Sequence, residues 1–196
     1  MNQTDTIWRS LEFRHYLGST AFSGIAFAMQ QLLLAWILIG ILELPATRVG
    51  IIQAVVGIPG IFLMLLGGAK ADGIDPRSLL IQVYSVAPLL PLFLIVIINF
   101  ELLSIWSVLI WGLGMSVVVS YSSPAQQAIL NRVASSEVQK AVSAATAIGF
   151  MVQILGLGVA GTMDALGLIP VLSFQALCVG LGAFAVRRLN PRTPTQ

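Results

Sequence analysis

A polar break, Gly68-Ala69-Lys70-Ala71-Asp72-Gly73-Ile74-Asp75-Pro76-Arg77, separates two apolar runs that are each long enough to cross a bilayer. Lys70, Asp72, Asp75 and Arg77, four of the chain's few charged residues, fall inside it. Charge is costly in hydrocarbon, so the break must lie at a membrane surface. It sets the register for everything on either side, because a spanning helix needs ~20 mostly apolar residues. Six such runs fit the chain, at 16–42, 47–69, 78–98, 102–128, 137–163 and 167–186. Charged residues make up 9% of the 196, against roughly a quarter in soluble domains. The sequence therefore predicts an all-α membrane protein with six transmembrane helices. The first run is too long for the ~7–15-residue core of a secretory signal, and we read it as the first span.

Short connectors force successive spans to be antiparallel. Lys and Arg then set the orientation. Arg9, Arg14, Lys70, Arg77, Arg132, Lys140, Arg187, Arg188 and Arg192 fall on one side, and Arg48 alone falls on the other. A shift of one helix would destroy this pattern. It predicts a cytoplasmic segment at 1–15, a bundle at 16–188 and a cytoplasmic polar tail at 189–196, with both termini inside and the plasma membrane (a bacterial inner membrane) as the location. Pro59, Pro88, Pro91 and Pro124 lie within spans and should kink them. Ala145, Gly149, Gly156 and Ala160 form a small-residue seam on the fifth span. A Gly-x₆-Gly spacing shared by Gly60–Gly67 and Gly149–Gly156 hints at a repeat of three plus three helices.

Several function classes lose support at this level. The chain has one cysteine, Cys178, inside an apolar run, and one histidine, His15, beside Arg14. Neither a disulfide nor a metal-ligand cluster is readable, no cofactor is implied, and the small basic excess does not point to nucleic acid. An intramembrane serine protease needs a serine near a histidine base; His15 sits at the end of the first span, and Gly-x-Ser-Gly does not occur. A voltage-gated channel would carry an Arg-rich span and a selectivity loop, and neither is present. A six-helix channel or permease domain and a membrane enzyme are thus the weaker alternatives.

The polar break resembles the signature loop between helices two and three of the major facilitator superfamily, closest to the bacterial exporter branch, where it reads like G-A-L-A-D-R-x-D-R-R-x-L-L. Gly68, Ala69, Ala71, Asp72, Asp75, Arg77, Leu79 and Leu80 match, while Lys70, Gly73 and Pro76 depart. Ser123-Pro124-Ala125-Gln126-Gln127-Ala128-Ile129-Leu130, with Val133, is similar to that branch's P-A-x-Q-A-x-x-P-x-x-V segment, with Asn131 in place of proline. Residues 153–161 are similar to its R-x-x-G-P-x-x-A-G, with Gln153 for the arginine and Leu157 for the proline. Such proteins usually have twelve helices in two six-helix halves, so the resemblance implies an N-terminal half-bundle.

By that resemblance the expected function is secondary active transport. It would be efflux of a small, partly apolar compound by alternating access, together with a second six-helix half or by self-association. A non-transporting remnant is the variant of this reading. Gly68, Asp72, Asp75 and Arg77 would form a cytoplasmic gate, with Asp72 holding a helix end in the other half. Spans one and four, with parts of two and five, would line the cavity. Ser19, Ser23 and Gln30 share a face of the first span, and Ser116, Ser120, Ser123 and Gln127 repeat the spacing in the fourth. Ser23, Gln30, Ser120, Tyr121, Gln127 and Gln153 are the cavity candidates, with Gln31 near the same level. No Asp, Glu, Lys or Arg falls near the middle of a span, so this half lacks a proton relay.

Overall fold

The computed structural model describes residues 10–71, 75–134 and 138–189, except that the side chains of 61 and 64–71 lie outside the description. Among the described residues there is no strand. The helices are α1 (Leu11–Trp36), continued by a π-helical turn Ile37–Ile41, α2 (Ala46–Ala71), α3 (Pro76–Val86), α4 (Leu89–Asn99), α5 (Ile105–Ala134), α6 (Val138–Gly161), α7 (Met163–Leu166) and α8 (Leu168–Arg187). Five segments are long and apolar enough to cross a membrane: Leu11–Ile41, Pro76–Asn99, Ile105–Ala134, Val138–Leu166 and Leu168–Arg187. The α2 helix is 26 residues long, but its described apolar stretch is only Ala46–Gly60. Five of the six expected spans are therefore found.

The ends of the helices follow from local chemistry. The first helix starts at Leu11, five residues before the expected 16, because Ser10 caps it by accepting from the Phe13 N–H. The α3 helix starts at Pro76, where the ring's fixed φ suits the first turn and no N–H is wasted, and Asp75 is its N-cap. The third apolar run then breaks at Ala87-Pro88 into α3 and α4. Pro91 cannot donate to the Ala87 carbonyl, and the Leu90 N–H takes that acceptor in a tighter bond of 3.1 Å. Pro59 and Pro124, in contrast, remain inside α2 and α5. The α5 helix runs on to Ala134, past the expected 128, with Arg132 in its last turn, where a cation meets the negative helix end.

Packing gives α1 and α5 the central places. The α6 helix lies against α1 and α2 against α5, while α8 packs on α1 and the α3–α4 pair packs on both α5 and α8. The α1–α6 contact is mirrored by the α2–α5 contact, and that of α8 on α1 by that of the α3–α4 pair on α5. One glycine of each expected pair makes a close contact, and Gly67 lies outside the described side chains. A Cβ at Gly60 would meet Ser116 Oγ and one at Gly156 would meet the Ile25 carbonyl, whereas Gly149 faces open space. The rest of the seam behaves as expected: Ala160 is fully buried and Ala145 packs on the core.

Two apolar clusters fill the bundle. One gathers Phe13, Leu80, Tyr84, Ile129 and Val186. The other gathers Met29, Leu33, Ile37, Trp111, Met115 and Leu172. Cys178 is buried in the first, as a small hydrophobe. The outer face of α6 instead exposes Phe150, Met151, Ile154 and Leu155, as a lipid-facing surface does.

Candidate functional site

One side of α1 is left open between α2 and α6, and two adjoining recesses occupy it. The larger, of about 410 Å³, is walled by Phe27, Gln30, Gln31 and Leu34 of α1, Gln53, Val56 and Gly57 of α2, and Gly112, Met115, Ser116 and Val119 of α5. The smaller, of about 250 Å³, lies between α1 and α6 and is lined by Gly24, Phe27, Ala28, Gln31, Gly149 and Gln153. Phe27 and Gln31 belong to both, so the recesses meet across α1. Among the described residues, neither wall contains an ionisable side chain.

Behind the wall, amides and hydroxyls tie the helices together. Gln175 of α8 is fully buried; its Nε2 donates to the Ala26 carbonyl at 3.0 Å and to Gln30 Oε1 at 3.1 Å. Gln126 Nε2 donates to the Tyr84 hydroxyl at 2.6 Å and to Ser23 Oγ at 3.0 Å, joining α5, α3 and α1. Ser23 donates in turn to the Ser19 carbonyl at 2.9 Å, and Ser19 to the Gly182 carbonyl of α8 at 3.2 Å. Ser120 donates to the Gly60 carbonyl at 2.9 Å and to the Ser116 carbonyl at 2.8 Å. Buried polar groups in a membrane bundle must find such partners internally.

The expected cavity residues divide accordingly. Gln30 and Gln153 line the recesses. Ser23 and Ser120 are buried behind the wall, their hydroxyls spent on backbone carbonyls. Tyr121 is half-buried against the cluster that holds Tyr84, and Gln127 is exposed and lines neither recess. Sequence reasoning passed over Gln53, Gln126 and Gln175. Gln53 and Gln175 had one available signal, each being a solitary amide in an apolar run. The partners of Gln126 and Gln175 lie on distant segments, which no spacing rule reaches.

A second polar cluster joins helix ends. Asp75 Oδ2 accepts from the Ser78 N–H at 3.1 Å and the Ser78 hydroxyl at 3.2 Å, capping α3. Asp75 Oδ1 pairs with Arg132 Nη2 of α5 at 3.0 Å. Arg77 Nη2 donates to the Arg187 carbonyl at the end of α8 at 2.9 Å, and Arg187 Nη2 donates to Ser85 Oγ at 3.0 Å. The last residues of the polar break, the end of α5 and the end of α8 therefore share one end of the bundle. Burial alone would raise the Asp75 carboxyl, but Arg132 and the Ser78 N–H outweigh it and hold it below its ordinary value. Gly68 falls in α2 where side chains are not described, and Asp72 lies outside the described residues. Among the described residues no group of His, Cys, Asp and Glu could hold a metal ion.

These features define an integral membrane bundle with a recess on one face and a charged knot at one end. The family model of the transmembrane secretion effectors, a major facilitator group, matches residues 7–195. The chain belongs to that family, and so to a class of membrane transport proteins. Neither the curated proteins nor the solved structures give a match.

Proposed function

We propose that this chain is the N-terminal six-helix half of a secondary active exporter, working by alternating access with a second six-helix half. The observation that carries this reading is the uncharged polar recess on α1, α2 and α5, which is open on one side. A rocking mechanism places its substrate site between two bundles near the bilayer midplane, and a recess of this kind is half of such a site. The substrate is a small, partly apolar compound that meets Gln30 and Gln153, with Ser23, Ser120, Tyr121 and Gln127 supporting or flanking that wall. The second half comes from the same polypeptide, another chain or a second copy. The reading involves no chemical step and assigns no catalytic residue, metal or cofactor.

The gate is the loop between α2 and α3, with Gly68, Asp72, Asp75 and Arg77. Asp75 and Arg77 are engaged within the chain, and the family resemblance is what assigns Asp72 to a helix end of the other half. Joined to the C-terminal half of a related exporter, the chain should support efflux of apolar compounds from cells. Asp72→Asn should reduce that efflux far more than Lys70→Ala, whose long stem reaches the surface wherever it stands. Equal, mild effects of the two substitutions would remove the gating role.

We place both termini in the cytoplasm of a bacterial inner-membrane protein, with α2 as the sixth span. The distribution of Lys and Arg supports this orientation. Reporter fusions after Glu43, Glu101 and Asp164 should read as external. A cytoplasmic signal at Glu101 would sink the topology.

A further inference from the structure

The recess wall contains one amide whose orientation is fixed from behind. A backbone carbonyl can only accept a hydrogen bond, so the end of Gln175 that meets the Ala26 carbonyl at 3.0 Å is its NH₂. The same NH₂ lies 3.1 Å from the Gln30 side chain, and the atom it meets must be an acceptor, Oε1. The Gln30 NH₂ is thereby turned away from α8, on a side chain that lines the recess. Gln30 is 9% exposed, and its Nε2 has no hydrogen-bond partner among the described residues. A buried donor without a partner is costly, and because Gln30 is a wall residue of the recess, a small shift of its amide toward an oxygen seated there relieves that cost.

We propose that Gln30 Nε2 is the donor of a binding subsite for uncharged molecules that carry a hydrogen-bond acceptor on an apolar, ring-sized body. The acceptor is a carbonyl, ester or ether oxygen. Phe27 and Met115 supply a flat and a deformable apolar surface, and Gln31 and Gln53 add exposed amides that serve a second polar group. Among the described residues no charged side chain lines either recess. An ion entering here loses hydration and meets no counter-charge, so both cations and anions are disfavoured. The volume of about 410 Å³ falls among ordinary small-molecule pockets. This deepens the transporter reading and rests on it for what the bound molecule is for, but the binding itself requires no transport.

The test uses the full chain in lipid nanodiscs, with empty nanodiscs as the control for lipid partition. The probes share one body: N,N-diethylbenzamide as neutral acceptor, N,N-diethylbenzylamine as cation and 4-ethylbenzoate as anion. Equilibrium dialysis should show saturable binding of the amide above empty discs, with both ions at least roughly tenfold weaker. Gln30→Leu should weaken the amide by about tenfold, the scale of one lost hydrogen bond. Gln30→Glu should shift the preference toward the benzylammonium, which a purely structural role for Gln30 would not do. Binding of the three probes alike, absence of saturable amide binding, or an unchanged amide affinity in a folded Gln30→Leu protein overturns the subsite. If neither variant folds, the ranking on the wild-type chain decides. Selective amide binding by a protein that never transports with any second half overturns the transporter reading and leaves the subsite standing. Transport without this ranking does the reverse.

Discussion

Asp75 uses its two oxygens for two elements, and the two roles are separable. Oδ2 caps α3 through Ser78, and Oδ1 reaches Arg132 on α5. Asparagine keeps the cap and loses the ion pair; alanine loses both. Asp75→Asn should therefore cost about 0.2–1 kcal/mol, the range of partly exposed pairs, and Asp75→Ala about 1 kcal/mol more, read as thermal unfolding in detergent at pH 7. The folded pKa is depressed, so the pair's contribution is present above the unfolded value of about 3.9 and is lost as pH falls through the lower folded value. The gap between wild type and Asp75→Asn should hold from pH 7 to 5 and close below about pH 4; a gap that widens there contradicts the assignment. Glu101 poses a different problem, with φ at 57° in the left-handed region. The Leu102 N–H bonds the Ile97 carbonyl and the Glu101 N–H the Ile98 carbonyl, the paired bonds of a helix end that normally closes on glycine. Glu101→Gly should stabilise the protein by about 0.5–1 kcal/mol, and a lower melting temperature would count against it. The matching of Asp75 to a family motif was legible in the sequence. Its partner was not, because Arg132 lies 57 residues away and meets it only once α5 packs beside α3.

The helices themselves were the most readable level, since apolar length is a local property and bilayer thickness sets its scale. What could not be read was how prolines and glycines divide their effects. Pro88 ends a helix while Pro59 and Pro124 do not, although all three stand inside apolar runs. The seam on α6 shows the same limit. Spacing placed Gly149 and Gly156 on one face, but only Gly156 meets backbone: a Cβ there would lie 2.6 Å from the Ile25 carbonyl and 2.7 Å from Ala28 Cβ. Neither neighbour can swing aside, so Gly156→Ala forces α6 away from α1. The expected cost is ~1–3 kcal/mol, as for other overpacked contacts. Gly149 has nothing within 4 Å, and Gly149→Ala should be neutral or stabilising by up to about 1 kcal/mol through helix propensity alone. Melting both variants in detergent checks the pair, and equal losses would mean that α6 does not seat on α1 as described.

At the scale of the whole molecule, the polar stripe was legible in outline and mistaken in detail. The periodicity of Ser23, Gln30 and Ser120 marked helix faces that avoid lipid, and all three are buried. Yet only Gln30 of these reaches the recess, because Ser23 and Ser120 find carbonyls inside the bundle first. On the recess walls, Gln31, Gln53 and Gln153 face outward, all exposed in the chain by itself. Lipid cannot satisfy amide donors and acceptors, which supports the proposal that a second bundle or a second copy covers this face. Alternating access needs that second body as well, since a recess with one wall cannot close on one side of the membrane while opening on the other. The 196-residue chain as a monomer in liposomes should therefore show no saturable transport. Co-reconstitution with a C-terminal six-helix half, or a self-associated form, should restore it. Cross-linking a cysteine placed at Gln53 should report the contact: a product only when the partner is present. Saturable transport by a demonstrated monomer would refute the two-body mechanism, and with it the reading of this recess as half of a substrate site.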